Sequence, residues 1–364
     1  MLRTSSVPNN FFARWDTDCH FLSSTLPLVE LVKDIWIFDC SSNSNRAVGR
    51  KVYCSCDDLF LIGIWSEPHV KQPSILVIWN PSTKESIALP DSEFPLDVDV
   101  DVDDDDSTYY HGNDSVGSAY GLAYDSINDD YKIFRIDIYA GYEIFLLKTG
   151  SWRIIDETSA GRTDSFMLSG GEYLAFVHGA FHLLGFLSRK FCLVSFNISD
   201  EMFREMPLPE IVCSQIHFKI VIDVDVGVSV LRGTLAVYYK NEKAFDLWLM
   251  KNYGIKDSWM TLFTIPSVGF IVMKRFYVPV LWKITPSTKV YSIIPKDMFS
   301  DYEVLLCFRF DGAMTRFVYR IISGGSFGLS DRMWPLDYDD IDAANIDEDD
   351  FAYTESPISS KLGH

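Results

Sequence analysis

The chain has 364 residues, of which 48% are hydrophobic and 15% aromatic, so it can bury a substantial core as two ordinary domains or one large all-β domain. This composition excludes a disordered protein. Its apolar runs, such as GFIVM at 269–273, stop far short of the ~18 residues that a membrane helix requires. The N-terminal stretch lacks the apolar segment of a secretion signal. We therefore expect a protein of the cytoplasm or nucleus, with no membrane partner.

The net charge of −19 is concentrated in two acidic runs. Residues 97–106, DVDVDVDDDD, carry seven aspartates, and residues 337–350 carry eight acidic side chains, so together they account for 15 of the 19 excess negative charges. The rest of the chain is almost balanced, and this excludes nucleic acid as an expected partner. Neither run fits the calcium-loop pattern, so we interpret both as solvated loops, with a basic protein partner as the alternative.

In chain order, the first predicted element is a short helix at 26–36. Apolar segments with a small or polar interruption between two strand-like halves occur at 51–65, 173–185 and 228–239. Two-strand hairpins are predicted where apolar, β-branched and aromatic runs flank turn residues. These hairpins lie at 75–90, 142–155, 192–209, 245–266 and 280–295. Their spacing is mostly ~40 to 50 residues, the size of a propeller blade.

One predicted hairpin has a similar second copy: the segment ILVIWNPSTKESIALP at 75–90 resembles VLWKITPSTKVYSIIP at 280–295. Both copies contain Pro-Ser-Thr-Lys and end on a proline, Pro90 or Pro295, which cannot donate to a strand ladder and should end the second strand. One such unit cannot bury both faces of its sheet, but several packed around an axis can. We therefore predict an all-β, β-propeller-like (kelch-like) single large domain with few short helices. A β-sandwich is the alternative.

Four residues raise the question of a metal site. Cys54 and Cys56 are two apart on one face of a predicted strand, but no second Cys or His pair at metal spacing accompanies them. We interpret them as two small buried residues, with zinc as the alternative. His178 and His182 are four apart, which spans ~13 Å along a strand. The sequence therefore predicts no metal and no other cofactor.

Motifs for catalysis are absent from the sequence. It contains no nucleophile elbow, Walker A loop, dinucleotide-binding glycine motif or HExxH zinc motif, and the glycine-rich GGSFG at 324–328 is interpreted as a turn. In YDSINDDYKI, Asp125 and Ser126 followed by Asn128 and Asp129 predict a tight turn whose side chains bond their own backbone. We therefore expect a protein that is not an enzyme.

Several segments resemble the plant F-box-associated interaction domain, the substrate-recognition part of many plant F-box proteins, including the S-locus F-box group. IWNPSTKESIALP is similar to that family's WNPSTRE..LP segment, and YGLAYDSINDDYKIFRI at 120–136 is similar to its G(F/L)GYDS..NDYKVVRI segment. Further resemblances lie in VHGAFHLLG, LVSFNISDEMFREMPLPE, residues 231–265 and FAYTESPIS. The likeness follows the family's order over residues 20–358 and implies a kelch-like propeller that binds protein.

The resemblance also implies a domain organisation. Family members open with a helical F-box that docks on the adaptor subunit of an SCF ubiquitin ligase, and its pattern is not found in this sequence. We expect residues 1–40 to be a residual segment after a missing F-box, 41–336 the propeller-like domain, 337–350 an acidic loop, and 351–364 a closing strand and tail. The SCF adaptor is an expected partner only if the full-length product contains an F-box.

The function that the resemblance implies is recognition of target proteins by an SCF-type E3 ubiquitin ligase, which delivers them for ubiquitination. One alternative is a truncated F-box paralogue that binds targets without recruiting the ligase, and another is a propeller hydrolase. Recognition residues usually lie on loops. We predict that a target contacts the first acidic run and the tyrosines beside it, namely Asp103, Asp104, Asp105, Asp106, Tyr109 and Tyr110.

Overall fold

Strands make up most of the computed structural model. It describes residues 11–13, 49–66, 72–80, 82–92, 118–137, 141–156, 166–168, 174–187, 190–215, 225–266, 290–300, 303–310, 313–321, 327–329 and 351–353. Helical structure in these residues amounts to the short helix α1 (Glu210–Gln215) and one 3-10 turn (Lys256–Ser258). The helix predicted at 26–36 lies outside the described residues.

The described residues contain 23 strands. In chain order they are β1 (Phe11–Ala13), β2 (Gly49–Cys56), β3 (Leu59–Trp65), β4 (Ile75–Asn80), β5 (Glu85–Ala88), β6 (Ala119–Asp125), β7 (Asp130–Asp137), β8 (Gly141–Leu146), β9 (Ser151–Ile154), β10 (Phe166–Leu168), β11 (Ala175–Val177), β12 (Ala180–Leu187), β13 (Lys190–Asn197), β14 (Phe203–Met206), β15 (Asp225–Leu231), β16 (Thr234–Lys240), β17 (Ala244–Met250), β18 (Trp259–Pro266), β19 (Val290–Ser300), β20 (Glu303–Phe310), β21 (Ala313–Ile321), β22 (Phe327–Leu329) and β23 (Phe351–Tyr353).

These strands form five antiparallel sheets and one two-stranded pair, β1 with β23. The sheets, here blades 1 to 5, contain β2–β5, β6–β9, β10–β14, β15–β18 and β19–β22. In blade 3 the first position is shared, because β10 and β11 both pair with β12. The first strands of successive blades, β2, β6, β11, β15 and β19, are neighbours in that order, and β23 lies beside β2. This is the predicted β-propeller arrangement.

Apolar side chains fill the four spaces between consecutive blades. Leu61 of blade 1 lies in one cluster with Leu122 of blade 2. In the next space, Phe134 of blade 2 stacks on Phe196 of blade 3, with ring centroids 4.2 Å apart. Similar clusters join blade 3 to blade 4 and blade 4 to blade 5. A β-sandwich would have a single such interface, so the sandwich alternative is wrong.

Burial on both faces explains why the middle blades contain continuous apolar runs instead of alternating patterns. The strand β12, AFHLLGFL, is buried at every position from Ala180 to Phe186. Close approach between blades also fixes a glycine, because a Cβ on Gly121 of β6 would overlap the ring of Phe181 in β12. The packing thus requires a residue without a side chain at this point.

Short turns join the first and second strands of the blades. In blades 1, 3 and 4 these turns are Asp57-Asp58, His178-Gly179 and Arg232-Gly233, and every one of these residues has a positive φ. Two consecutive positive φ angles are typical of the two-residue type I′ hairpin. Because strands alternate in direction, these turns and the turns between third and fourth strands lie at one end of the blades, here called the turn face. The connections between blades lie at the opposite end, the connection face.

The hairpins predicted at 75–90, 142–155, 192–209 and 245–266 are confirmed as β4–β5, β8–β9, β13–β14 and β17–β18. The interrupted segments at 51–65, 173–185 and 228–239 are the hairpins β2–β3, β11–β12 and β15–β16. Together they supply the first two strands of blades 1, 3 and 4, with β11 sharing the first position of blade 3.

The repeated hairpin does not occupy the same place twice. Residues 290–295 of the second copy open β19, the first strand of blade 5, whereas residues 85–88 of the first copy form the last strand of blade 1. Residues 280–289 lie outside the described part of the chain. Pro90 follows β5 as predicted, but Pro295 lies inside β19, where the pairing with β20 shifts register between Pro295 and Asp297. The bulge accommodates the missing N–H, so the strand continues past the proline.

Candidate protein-binding surface

The predicted contact residues Asp103, Asp104, Asp105, Asp106, Tyr109 and Tyr110 lie outside the described residues. The structure describes the two ends of their segment, which leaves blade 1 after β5 and enters blade 2 at β6 on the connection face. Ser92 is the last described residue before the segment, and Ser118 is the first one after it.

Both ends of this acidic segment are bonded to one buried ion pair. The Arg135 Nη1 atom lies 2.8 Å from Glu143 Oε2, and both side chains are 2% exposed. Ser92 Oγ donates to Glu143 Oε1 at 2.5 Å, and Arg135 Nε donates to Ser118 Oγ at 3.1 Å. Gln72 Nε2 of blade 1 also donates to Ser118 Oγ. This ion pair therefore holds Ser92 and Ser118, the described residues on either side of the acidic segment, against blade 2.

A second buried network ties blade 2 to blade 3 near the turn face. Asp125 Oδ1 accepts the backbone N–H of Ile127 at 3.0 Å, which confirms the predicted tight turn. The same carboxylate accepts a hydrogen bond from Ser199 Oγ of blade 3 and pairs with Lys132 Nζ at 2.8 Å. Burial alone would raise the pKa of Asp125, but the hydrogen bonds from Lys132, Ser199 and Asn128 together hold it well below its usual range. The carboxylate therefore stays ionised and links the two blades.

Tyr253 joins blade 4 to blade 3 on the turn face. Its Oη donates to His182 Nε2 at 2.7 Å, and His182 Nδ1 donates to the Ala175 carbonyl at 3.1 Å. The ring of the exposed His178 also contacts Tyr253, with the two ring centroids 4.4 Å apart. Burial lowers the pKa of His182 to about 4, so this imidazole is neutral and accepts the tyrosine proton.

This geometry corrects the expectation that His178 and His182 are separated along one strand. The two-residue turn His178-Gly179 lies between them, so His178 does not continue the line of β12. Both imidazoles consequently contact the same tyrosine ring.

The two close cysteines are half-buried, less buried than predicted, and the pairing of β2 with β3 shifts register just before them, between Val52 and Cys54. Burial raises the pKa of both thiols, that of Cys56 to about 12, and this makes them poor metal ligands at neutral pH. Among the described residues no group of three or more His, Cys, Asp or Glu could hold a metal ion. None of the described helices is both long enough and apolar enough to cross a membrane.

Residues 64–308 match the family described as "F-box associated beta propeller domain", which covers more than half of the chain. The chain belongs to this family. Five blades with antiparallel neighbours agree with the description, and the matched range includes blades 2, 3 and 4 completely. The resemblance seen in the sequence segments is therefore confirmed.

Relatives of this F-box-associated propeller are found in Arabidopsis thaliana. The F-box protein CPR1 is 29% identical over 219 residues, which cover 53% of this chain and 48% of that protein. An F-box/kelch-repeat protein is 26% identical over 208 residues, covering 55% of this chain and 50% of that protein. The matched part thus spans about half the length of these relatives.

Solved structures give a weaker likeness to the F-box-associated propeller. A structure from a study of two prolyl endopeptidases covers 75% of this chain and 41% of its own, at 10% identity and a TM-score of 0.34. A protein from Lactobacillus plantarum covers 75% of this chain and 67% of its own, at 9% identity and the same TM-score of 0.34. Scores this low carry no argument about function.

Sequence reasoning missed the residues that the structure brings together on this propeller. Arg135 and Glu143 stand alone as charges within the apolar strands IFRI and YEIF, and a charge in such a place signals a buried partner. For Tyr253 the sequence gave a weaker indication of a functional role. It lies in the turn predicted around residues 252–254, but nothing in the sequence indicates that the turn meets blade 3.

Proposed function

We propose that this chain is the target-recognition module of an SCF-type E3 ubiquitin ligase, which binds a protein and delivers it for ubiquitination. The observation that supports the proposal is the family match over residues 64–308, together with relatives that are F-box proteins. The module acts by binding and not by catalysis. It works in the cytoplasm or nucleus, in keeping with the free thiols of the described cysteines.

The test is affinity purification of the full-length product from its native tissue, under proteasome inhibition, followed by mass spectrometry. We expect a selective protein partner that accumulates when the proteasome is blocked, and the SCF adaptor if the product contains an F-box. A partner recovered without the adaptor would favour the truncated paralogue that binds targets outside the ligase. Recovery of no selective partner would contradict the proposal.

Within this function, we propose that the target contacts Asp103, Asp104, Asp105, Asp106, Tyr109 and Tyr110. The support is the charge of their acidic run and its attachment, because Ser92 and Ser118 hold both ends of the segment to the buried Arg135–Glu143 pair. An acidic segment anchored in this way attracts a basic partner over a distance of about 8 Å in physiological salt.

Replacing the aspartates of residues 97–106 with Ser and Asn should slow association with a basic target and flatten its salt dependence. The measurement is the association rate by surface plasmon resonance between about 50 and 300 mM salt. The second acidic run, residues 337–350, provides a matched control, since it holds eight acidic side chains that can be neutralised in the same way. Unchanged kinetics in the first variant would exclude this contact region.

A further inference from the structure

The loop between β17 and β18, residues 251–258, is exposed, but hydrogen bonds within the loop restrain its conformation. The Lys251 N–H donates to the Ser258 carbonyl at 3.1 Å, which closes the loop at its base. The Ile255 N–H donates to the Asn252 carbonyl at 3.1 Å, and the Ser258 hydroxyl lies 2.7 Å from the same carbonyl oxygen. A loop held by its own hydrogen bonds loses little conformational entropy when a partner binds it.

The loop presents two large side chains to solvent. Ile255 is 55% exposed at its tip, and Tyr253 is 36% exposed although its hydroxyl is held by the buried His182. Burial raises the pKa of Tyr253, so its hydroxyl keeps its proton at neutral pH. A rigid Tyr side chain beside an apolar residue is typical of interface hot spots.

The net charge of this loop has a sign opposite to that of the whole chain, because the loop contains two lysines. Within the described residues, neither the Lys251 nor the Lys256 ammonium group has a carboxylate within ion-pair distance. Asp257 is the one acidic residue in the loop. Two exposed lysines thus precede and follow Ile255 in the loop of a protein whose net charge is −19.

We propose that these side chains form a docking site for an acidic segment of a partner protein, one that carries a large apolar or aromatic residue. The segment inserts that residue beside Ile255 and Tyr253 and places its carboxylates near Lys251 and Lys256. This inference rests on the proposed function as a protein-binding module. It assigns a site on the turn face to an acidic segment. The site, here the Tyr253 patch, consists of His178, Lys251, Tyr253, Ile255 and Lys256.

The test uses a displayed library of random dodecapeptides selected on the full-length chain. We expect the enriched peptides to combine several Asp or Glu with a large apolar residue, and their binding to weaken as salt increases. Replacing Asp and Glu in a selected peptide by Asn and Gln should weaken its binding about tenfold. Enrichment of basic or uncharged peptides would overturn the assignment.

Two variants locate the site on the chain. Ile255→Ser, and separately the double change of Lys251→Glu with Lys256→Glu, should each weaken the selected peptide about tenfold. The controls are Ile127→Ser and Lys243→Glu. Ile127 is 78% exposed in a turn of blade 2, and Lys243 is exposed in a turn at the other end of blade 4. Both controls should bind as the parent does. Equal thermal midpoints for all variants show that the fold is kept.

The outcomes separate this inference from the proposed function. If peptides and native targets bind the parent, and the loop variants bind them equally well, the assignment of the docking site to the Tyr253 patch is wrong. The proposed recognition function is then unaffected. If the chain selects no peptide and retains no target protein, the proposed function fails and the patch fails with it. Retention of a uridine oligonucleotide through the same residues, without any peptide, would also overturn the assignment to a protein segment.

Discussion

His182 illustrates how one buried side chain connects two blades. Its two ring nitrogens are both used, one toward the Ala175 carbonyl of blade 3 and one toward Tyr253 of blade 4. Only the neutral imidazole can donate at Nδ1 while accepting at Nε2. The contact between blades therefore depends on the protonation state of this residue.

The first prediction concerns pH. Because the pKa of His182 is lowered from 6.5 to about 4 in the fold, the unfolded chain takes up the proton first as pH falls. The contribution of His182 to stability is complete above about pH 6.5 and is lost on going down to about pH 4, by up to about 3 kcal/mol. Denaturant unfolding across this range should show the loss in the parent. His182→Gln should have a shallower slope, and equal slopes would contradict the prediction.

The second prediction concerns the buried Arg135–Glu143 pair. Glu143→Gln removes one charge of this buried pair and its charge-assisted hydrogen bond to Arg135, so it should lower the free energy of unfolding by about 3–5 kcal/mol. The double variant Arg135→Met with Glu143→Leu removes both charges and should recover most of this loss. As a control, Glu205→Gln breaks the exposed pair with Lys190, and its unfolding curve should match the parent's. A double variant no better than Glu143→Gln would refute the explanation.

Each blade depends on its neighbours, because a single four-stranded sheet leaves both faces uncovered. Blade 2 shows the consequence, since its second strand β7 is buried from Asp130 to Ile136 between blades 1 and 3. Hydrogen bonds between blades accompany the apolar contacts. Ser199 of blade 3 donates to Asp125 of blade 2, and Ser229 of blade 4 donates to the Pro295 carbonyl of blade 5.

The third prediction tests how tightly blades 2 and 3 approach. Gly121→Ala places a methyl group into the ring of the buried Phe181, so it should destabilise the protein by about 1–3 kcal/mol despite adding apolar surface. Combining it with Phe181→Leu should relieve part of the strain, as measured by denaturant unfolding. Gly233→Ala provides a control, since a Cβ there meets nothing within 4 Å and its cost comes from the positive φ alone. Gly121→Ala with parental stability would contradict the close contact.

At the scale of the whole molecule, the blades bring together charges that the sequence keeps far apart. Lys132 of blade 2 and Glu201 of blade 3 are 69 residues apart in the sequence, yet Lys132 Nζ lies 3.3 Å from Glu201 Oε1. The acidic run leaves from the connection face. The net charge of −19 does not show this arrangement, because it sums charges from all parts of the chain.

The fourth prediction concerns this net charge. Self-repulsion among 51 acidic and 32 basic side chains destabilises the compact state, so added salt should stabilise the fold by screening. We expect the thermal midpoint to rise on the order of 2 °C between about 20 and 200 mM sodium chloride. Neutralising residues 97–106 should reduce the rise, because that run holds seven of the aspartates. A midpoint that falls with salt in the parent would contradict this account.

The sequence by itself determined the elements, because turn chemistry and strand composition are local. The Asp125 turn and the interruptions within the segments at 173–185 and 228–239 follow from residues next to one another, and so do the hairpins around them. The radial arrangement also followed, since repeated two-strand units with apolar faces have few ways to cover one another. The family resemblance rested on the same local segments.

Only the tertiary structure decided which distant residues meet. The position of the second hairpin copy was mispredicted because a strand's place in a sheet depends on its partners, and these lie outside the repeated segment. The Arg135 contact with Ser118 and the Tyr253 contact with His182 join strands and loops 17 and 71 residues apart. Such contacts depend on how blades pack across their faces, and that packing is a property of the folded chain that no short stretch of sequence encodes.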